Sequence, residues 1–195
     1  MKIERIINSV FTSNTFVLTD EGSQDAWLVD VGDVEPIMKV VGNRNVKGLF
    51  VTHTHYDHIY GINKLVELFP ECVIYTSLHG KEGLFSEKLN FSKYHDDPVI
   101  FKGKHIEILG EGEEISLFPY IILKTVHTPG HDWSCITYYT DEEIFTGDSY
   151  IPNIKVITSM PKSNKEEAKI SLGKILELAK TRNVYPGHNE IQKLK

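Results

Sequence analysis

Between Thr52 and His58 the chain reads Thr-His-Thr-His-Tyr-Asp-His, which puts three histidines and one aspartate within six residues. Imidazoles and a carboxylate crowded onto one loop serve no packing purpose. The run is internal and interleaved with Thr and Tyr, unlike an expression tag. It follows Lys47-Gly48-Leu49-Phe50-Val51, a short apolar run that reads as a buried strand. His53 and His55 on extended chain point the same way, because side chains repeat every two residues. The turn that follows brings Asp57 and His58 round as a second set. Two ligands facing one point and two facing its neighbour is the geometry of a paired metal site. Neutral imidazole and carboxylate suit zinc and other borderline divalent ions.

Three later segments supply what two complete sites need. Val126-His127-Thr128-Pro129-Gly130-His131 follows the apolar run Tyr120-Ile121-Ile122-Leu123, so its histidines sit at a strand end. Glu143-Ile144-Phe145-Thr146-Gly147-Asp148-Ser149 reads as a short strand, a glycine permitting close backbone approach, and then an aspartate. Val184-Tyr185-Pro186-Gly187-His188 repeats the theme. A metal takes about four ligands, and a catalytic site keeps one position open for water. Five histidines and two aspartates fill two such sites with one ligand shared.

The ordered set His-x-His-x-Asp-His, Thr-Pro-Gly-His, Gly-Asp-Ser and Tyr-Pro-Gly-His resembles the metallo-β-lactamase superfamily. Among its branches the chain most resembles the glyoxalase II group, the hydroxyacylglutathione hydrolases and their short bacterial relatives. The resemblance spans nearly the whole chain, from the early strands through Val29-Asp30-Val31-Gly32 to His188. It implies one metal held by His53, His55 and His131, another held by Asp57, His58 and His188, and Asp148 as the bridge. It selects His131 over His127, which reads as a strand-end residue or a neighbour of a ligand. Asp30 hydrogen-bonds a ligand histidine or caps the turn at Gly32.

Absences narrow the branch. The B1 β-lactamases carry a cysteine where Asp148 stands, and the flavodiiron branch a glutamate where His55 stands. Persulfide dioxygenases hold a single iron through fewer ligands. The net charge of -6, without a Lys/Arg block, lacks the basic footprint of a nucleic-acid binder. Three departures fall on the substrate side. Tyr60 replaces the first glycine of the usual Asp-His-x-Gly-Gly run, and Asp132-Trp133-Ser134-Cys135 replaces Thr-Pro-Gly-Ser. Ser149-Tyr150-Ile151-Pro152-Asn153 replaces the glycine- and arginine-containing loop of glyoxalase II.

The implied chemistry is hydrolysis of a thioester or related ester by a hydroxide bridged between two divalent ions, zinc foremost, with iron or manganese as alternatives. Two ions about 3.5–4 Å apart clamp the attacking oxygen and lower the pKa of bound water towards ~7. Asp148 holds the pair and Asp57 orients the hydroxide, so both count as catalytic. Tyr150 and Lys155 are the expected substrate contacts. Lactonase or β-lactamase-type hydrolysis, or iron-dependent oxidation, are the alternatives on the same scaffold. The substrate is expected to be a small molecule, with neither nucleic acid nor membrane as partner. The added helical domain of full-length glyoxalase II, which helps hold glutathione, has no room after His188.

At 195 residues, 41% of them hydrophobic and 25% charged, the chain suits a single globular domain rather than disorder or fibre. No stretch approaches the ~20 apolar residues of a membrane span. Met1-Lys2-Ile3-Glu4-Arg5 lacks the apolar core of a signal peptide. Cys72 and Cys135 make no disulfide framework, and a cytoplasmic location is expected. Cys72 reads as a small buried hydrophobe. Cys135, four residues after His131, reads as packing or as an oxidation point.

Periodicity alone gives an α/β mixture. Strands are expected over Lys2–Ile7, Thr15–Thr19, Ala26–Val31, Cys72–Thr76, Ile106–Leu109 and Glu114–Leu117. Helices are expected from the cap Asp33 to Val41, over Ile59–Phe69, and from a capping box at Ser163-Asn164-Lys165-Glu166 to about Lys180. In the last, Ala168, Leu172, Ile175, Leu176 and Ala179 face inward. The resemblance implies that these elements form an αβ/βα sandwich, two mixed sheets face to face with helices outside.

Overall fold

The computed structural model describes residues 1–194. Strand β1 (Lys2–Ile7) pairs antiparallel with β2 (Asn14–Thr19), and β2 with β3 (Asp25–Val29). Strands β4 (Asn45–Phe50), β5 (Val73–Thr76) and β6 (Ile106–Ile108) then add in parallel. The second sheet runs β7 (Glu114–Phe118), β8 (Ile121–His127), β9 (Ile136–Tyr139) and β10 (Glu143–Gly147) antiparallel. Strand β11 (Asn183–Pro186) closes it in parallel beside β10. Both sheets are therefore mixed. Helices α1 (Val34–Val41), α2 (Tyr56–Ile59), α3 (Ile62–Leu68) and α4 (Leu78–Leu84) interleave with the first sheet, and α5 (Lys165–Ala179) lies on the second. The turn Gly110-Glu111-Gly112 hands the chain from one sheet to the other instead of closing a hairpin.

The period of two sorts the core. On β2, Phe16 and Leu18 enter the layer between the sheets while Val17 faces the helices; on β3, Trp27 and Val29 go inward and Leu28 outward. Leu49 and Phe50 split likewise on β4. Phe50, Tyr138, Phe145 and Tyr185 fill the inter-sheet layer, and Ile37, Val41, Ile62 and Leu65 cover the outer face of the first sheet. Burying each such side chain contributes about 1.5–3 kcal/mol. Polar tips within this layer are satisfied: Trp27 Nε1 donates to Leu117 O at 3.1 Å, and the Tyr138 hydroxyl donates to Val51 O at 2.9 Å. The latter bond pins the end of β4, where the first histidines begin.

Three local expectations change. The helix expected over Ile59–Phe69 is two helices, α2 and α3, broken at Tyr60-Gly61. The break arises because this stretch docks on another turn: Val31 N–H donates to His58 O at 2.9 Å, and a Cβ on Gly61 would collide with Gly32 O. Asp33 stands at the N-cap of α1 but makes no cap bond; its carboxylate accepts from Ser9 N at 2.8 Å and from the Tyr60 hydroxyl at 2.7 Å. Asn164, not Ser163, caps α5, accepting from Glu166 N and Glu167 N, and leaves the Ser163 hydroxyl to donate to His131 O at 2.5 Å. Within α5, Ala168, Ser171 and Ile175 are buried, whereas Leu176 is 45% exposed and Leu178 packs in its place.

Candidate metal centre

Every histidine and aspartate segment begins where a strand stops: β4 at Phe50, β8 at His127, β10 at Gly147 and β11 at Pro186. Strand ends at one edge of the sandwich carry loop side chains on a fixed frame. Two backbone bonds hold that edge together, Ile136 N–H to Thr52 O at 2.9 Å and Gly187 N–H to Gly147 O at 2.8 Å. Gly187 lies so close to the cluster that a Cβ there would strike Asp148 Oδ1 and His58 Cε1, so only glycine fits.

The seven side chains converge. Ligand atoms of His53, His55 and His131 lie within 4.8 Å of one another, as do those of Asp57, His58 and His188. Asp148 stands between the two sets: Oδ2 is 3.6 Å from His131 Nε2 and 3.4 Å from His188 Nε2, and Oδ1 is 3.5 Å from His58 Nε2. His127 is outside the cluster, with its Nε2 donating to Leu109 O at 3.0 Å.

Outward bonds fix which nitrogen of each ring is free. His131 Nδ1 donates to Ile157 O at 3.0 Å and His188 Nδ1 to Phe11 O at 3.1 Å, since a carbonyl only accepts. His58 Nδ1 donates to Asp30 Oδ2 at 2.9 Å. The Thr52 hydroxyl donates to Asp30 Oδ2 at 2.7 Å and so accepts from His53 Nδ1 at 3.1 Å. Nε2 of each of these four rings is thereby left unprotonated or available towards the cluster. His53 Nε2, His58 Nε2 and Asp148 Oδ1 are buried without a hydrogen-bond partner. Buried polar atoms are rarely left so, and a divalent cation is the partner that suits imidazole nitrogen and carboxylate oxygen together. The residues fit such an ion.

The two halves differ electrostatically. Burial, then the neighbouring imidazoles, push His53 well below the usual histidine range, and burial lowers His131. Burial opposes charge on His58 too, but Asp57, Asp148 and Asp30 outweigh it and hold that ring at about 9. His188 is raised to about 10, its bonds to Asp148 and Asp57 overcoming burial. Burial would raise Asp57 and Asp148; His58 and His188 instead hold both below the ordinary carboxylate range. His53 and His131 thus offer neutral imidazoles, while a cation beside His58 and His188 must displace protons.

The residues expected to touch substrate lie elsewhere. Tyr150 packs with Ile144, Ile175 and Val184, and with Lys155 it lines a cavity against α5 in which none of the seven takes part. The loop between β10 and α5 carries both; it starts at Asp148 and returns to His131 through the Ile157 carbonyl and the Ser163 hydroxyl. Beside the cluster stand residues that the sequence did not single out: Phe91, edge-on to His55 at 5.0 Å, and Phe11, whose backbone carbonyl accepts from His188 while its 67% exposed ring stands edge-on to His95. Phe11 and Phe91 both hold positive φ, of 51° and 60°, a strained state for bulky residues that concentrates at functional sites. Cys135 is buried, and burial pushes its thiol far up, which makes it packing rather than a reactive group. No helix among the described residues is long and apolar enough to cross a membrane.

Comparison with known proteins agrees with this geometry. A probable metallo-hydrolase of Streptococcus pyogenes serotype M6, M6_Spy0554, is 29% identical over 96% of this chain and 84% of its own length. The crystal structure of BLEG-1 B3 metallo-beta-lactamase superposes with a TM-score of 0.86 at 22% identity, covering 97% of this chain and 93% of that one. TTHA1623, solved in a di-iron-bound form, superposes at 0.80 with 20% identity, covering 97% and 94%. These two likenesses establish the αβ/βα fold. A profile of the Metallo-beta-lactamase superfamily matches residues 8–188, nearly the whole chain, and the protein belongs to that superfamily.

Proposed function

We propose that this protein is a binuclear metallohydrolase that cleaves a thioester or related ester of a small molecule, in the manner of glyoxalase II. The observation that carries the reading is the position of Asp148 between His53-His55-His131 and Asp57-His58-His188. Two divalent ions, when bound, supply an activated water and polarise the scissile carbonyl. The chain's own residues do the rest. His53, His55 and His131 hold one ion, Asp57, His58 and His188 the other, and Asp148 fixes their spacing. Asp57, whose Oδ2 lies 3.2 Å from His188 Nε2, would orient the attacking water. Zinc is the first expectation. Iron is the second reading, because imidazole and carboxylate do not exclude it and TTHA1623 is described with two irons.

Phe91 beside His55 favours an uncharged acyl substrate over a polyanion, and the net charge of -6 points the same way. Elemental analysis of untagged protein, followed by a panel of thioesters, esters, lactones and β-lactams, tests the proposal. Two ions per chain and thioester turnover are expected. Metal-free protein from metal-replete growth would overturn it, and turnover confined to lactones or β-lactams would move it to another branch.

A further inference from the structure

Four of the five clustered histidines have the nitrogen that faces away from the centre tied down, His53 by Thr52, His58 by Asp30, His131 by Ile157 and His188 by Phe11. His55 is the exception, and it is turned the other way. Its Nδ1 faces inward, 3.1 Å from His131 Nε2, while its Nε2 is buried with no hydrogen-bond partner. The nearest charged atom is Asp132 Oδ2 at 3.6 Å, itself buried and without a partner. Two orphaned buried atoms, one able to donate and one only able to accept, face each other across a gap slightly too long for a bond.

The other oxygen of Asp132 is not free. Oδ1 accepts from Ser134 N at 2.8 Å and from Ser134 Oγ at 2.5 Å. Ser134 Oγ in turn accepts from Thr54 N at 3.2 Å, the residue between His53 and His55. Carboxylate and ligand loop are thus built into one frame, with Oδ2 aimed at His55.

We propose that Asp132 is the positioning residue for His55. Its Oδ2 accepts the Nε2–H of His55, which selects the tautomer whose Nδ1 lone pair points at the ion held by His53, His55 and His131. The inference rests on the metal-centre reading above. It pairs the halves of the centre: Asp30 orients His58 in one set, and Asp132 orients His55 in the other. Partners of this kind commonly account for ~10–100-fold in metal affinity.

Asp132→Asn separates positioning from structure. The amide oxygen can still accept from Ser134, which leaves the NH2 group facing His55. An NH2 cannot accept from Nε2–H, so the imidazole is driven to the tautomer with its proton on Nδ1, the wrong nitrogen for an ion. The full-length chain, stripped of metal, is titrated with Zn2+ against a chromogenic chelator as wild type, Asp132→Asn, His55→Ala and the double variant. We expect Asp132→Asn to weaken one of two ions by ~10–100-fold, and to weaken it no further in the His55→Ala background. Wild-type affinity for both ions in Asp132→Asn, or equal losses with and without His55, would overturn the proposal. Failure of the wild type itself to take two ions would overturn the metal-centre reading instead. Should Asp132→Asn not fold, Ser134→Ala carries the test, since it loosens the carboxylate without removing it; undiminished affinity there also overturns the proposal.

Discussion

Asp30 Oδ2 lies 2.9 Å from His58 Nδ1, and the same carboxylate accepts from Thr52 N and Thr52 Oγ1, both at 2.7 Å. One buried side chain therefore joins the end of β3, the end of β4 and the first turn of α2. Its backbone sits at φ 56°, in the left-handed region that aspartate and asparagine tolerate better than most residues. Asp30→Asn keeps that backbone but removes the charge opposite His58. We expect ~10–100-fold weaker binding of the ion held by Asp57, His58 and His188, and a loss of about 1–3 kcal/mol for buried donors left short of an acceptor. Metal titration and denaturant unfolding of the stripped protein check the two effects separately.

Asp148 and His127 provide a contrast, the first inside the cluster and the second outside it although close in sequence to the ligand His131. Asp148→Ala removes the carboxylate that faces both ligand sets, and should lower metal content and reduce hydrolysis by ~10²–10³ or more, the order set by loss of one transition-state contact. His127→Ala loses a bond to Leu109 O and should keep two ions and most of the activity. Equal metal loss in both variants, read by elemental analysis, would show that the wrong histidine of the Val126 to His131 segment has been assigned.

How far the sequence reaches is visible at particular residues. The strand-end placement of all four ligand segments follows from short apolar runs, and β1 falls on Lys2–Ile7 as periodicity predicts. The break at Tyr60-Gly61 does not follow, because its cause is a tertiary contact of Gly61 with Gly32, twenty-nine residues earlier and in no periodic relation. The same holds for Tyr150. Its place beside Asp148 suggested contact with substrate, yet the chain turns after Ser149 and the ring packs with Ile144 and Ile175. Asp132 stood out only as a departure from a familiar pattern; its adjacency to His131 was the available signal, and its partner across the site could be found only in three dimensions.

The metal-free protein should lose stability as pH rises. His58 and His188 have folded-state pKa values of about 9 and about 10, above the ~6.5 of an unfolded histidine. Their contribution is complete below ~6.5 and is lost as pH climbs through 9 to 10. Asp57 and Asp148 are depressed, so theirs is present above ~3.9 and is lost as pH falls below that. His53 and His131 are depressed, so theirs is present above ~6.5 and fades as pH falls below it. Melting of chelator-treated protein should therefore peak near pH ~6.5 and decline steadily towards pH ~10. Metal uptake near neutral pH should release protons, detectable by calorimetry in buffers of different ionisation enthalpy. Proton-neutral uptake would contradict the imidazolium–carboxylate pairing.

Preference for glutathione as the leaving group should be weak. Recognising its carboxylates calls for cations held near the reacting carbonyl, beyond what the ions themselves supply. The lysines that flank the ligand segments are engaged otherwise. Lys155 lines the cavity against α5, Lys162 sits 4.1 Å over the Trp133 ring, and Lys93 sits 4.6 Å over Tyr94. The ring of Phe91 beside His55 offers apolar contact that discriminates little between thiols. Interactions shared equally by all thioesters lower no barrier selectively. The measurement is kcat/KM for lactoylglutathione against that for the lactoyl thioester of a small neutral thiol. We expect a ratio within ~10²; a ratio above ~10³, equivalent to roughly 4 kcal/mol of transition-state discrimination, would establish a dedicated glutathione enzyme and require cations to move to the rim on binding.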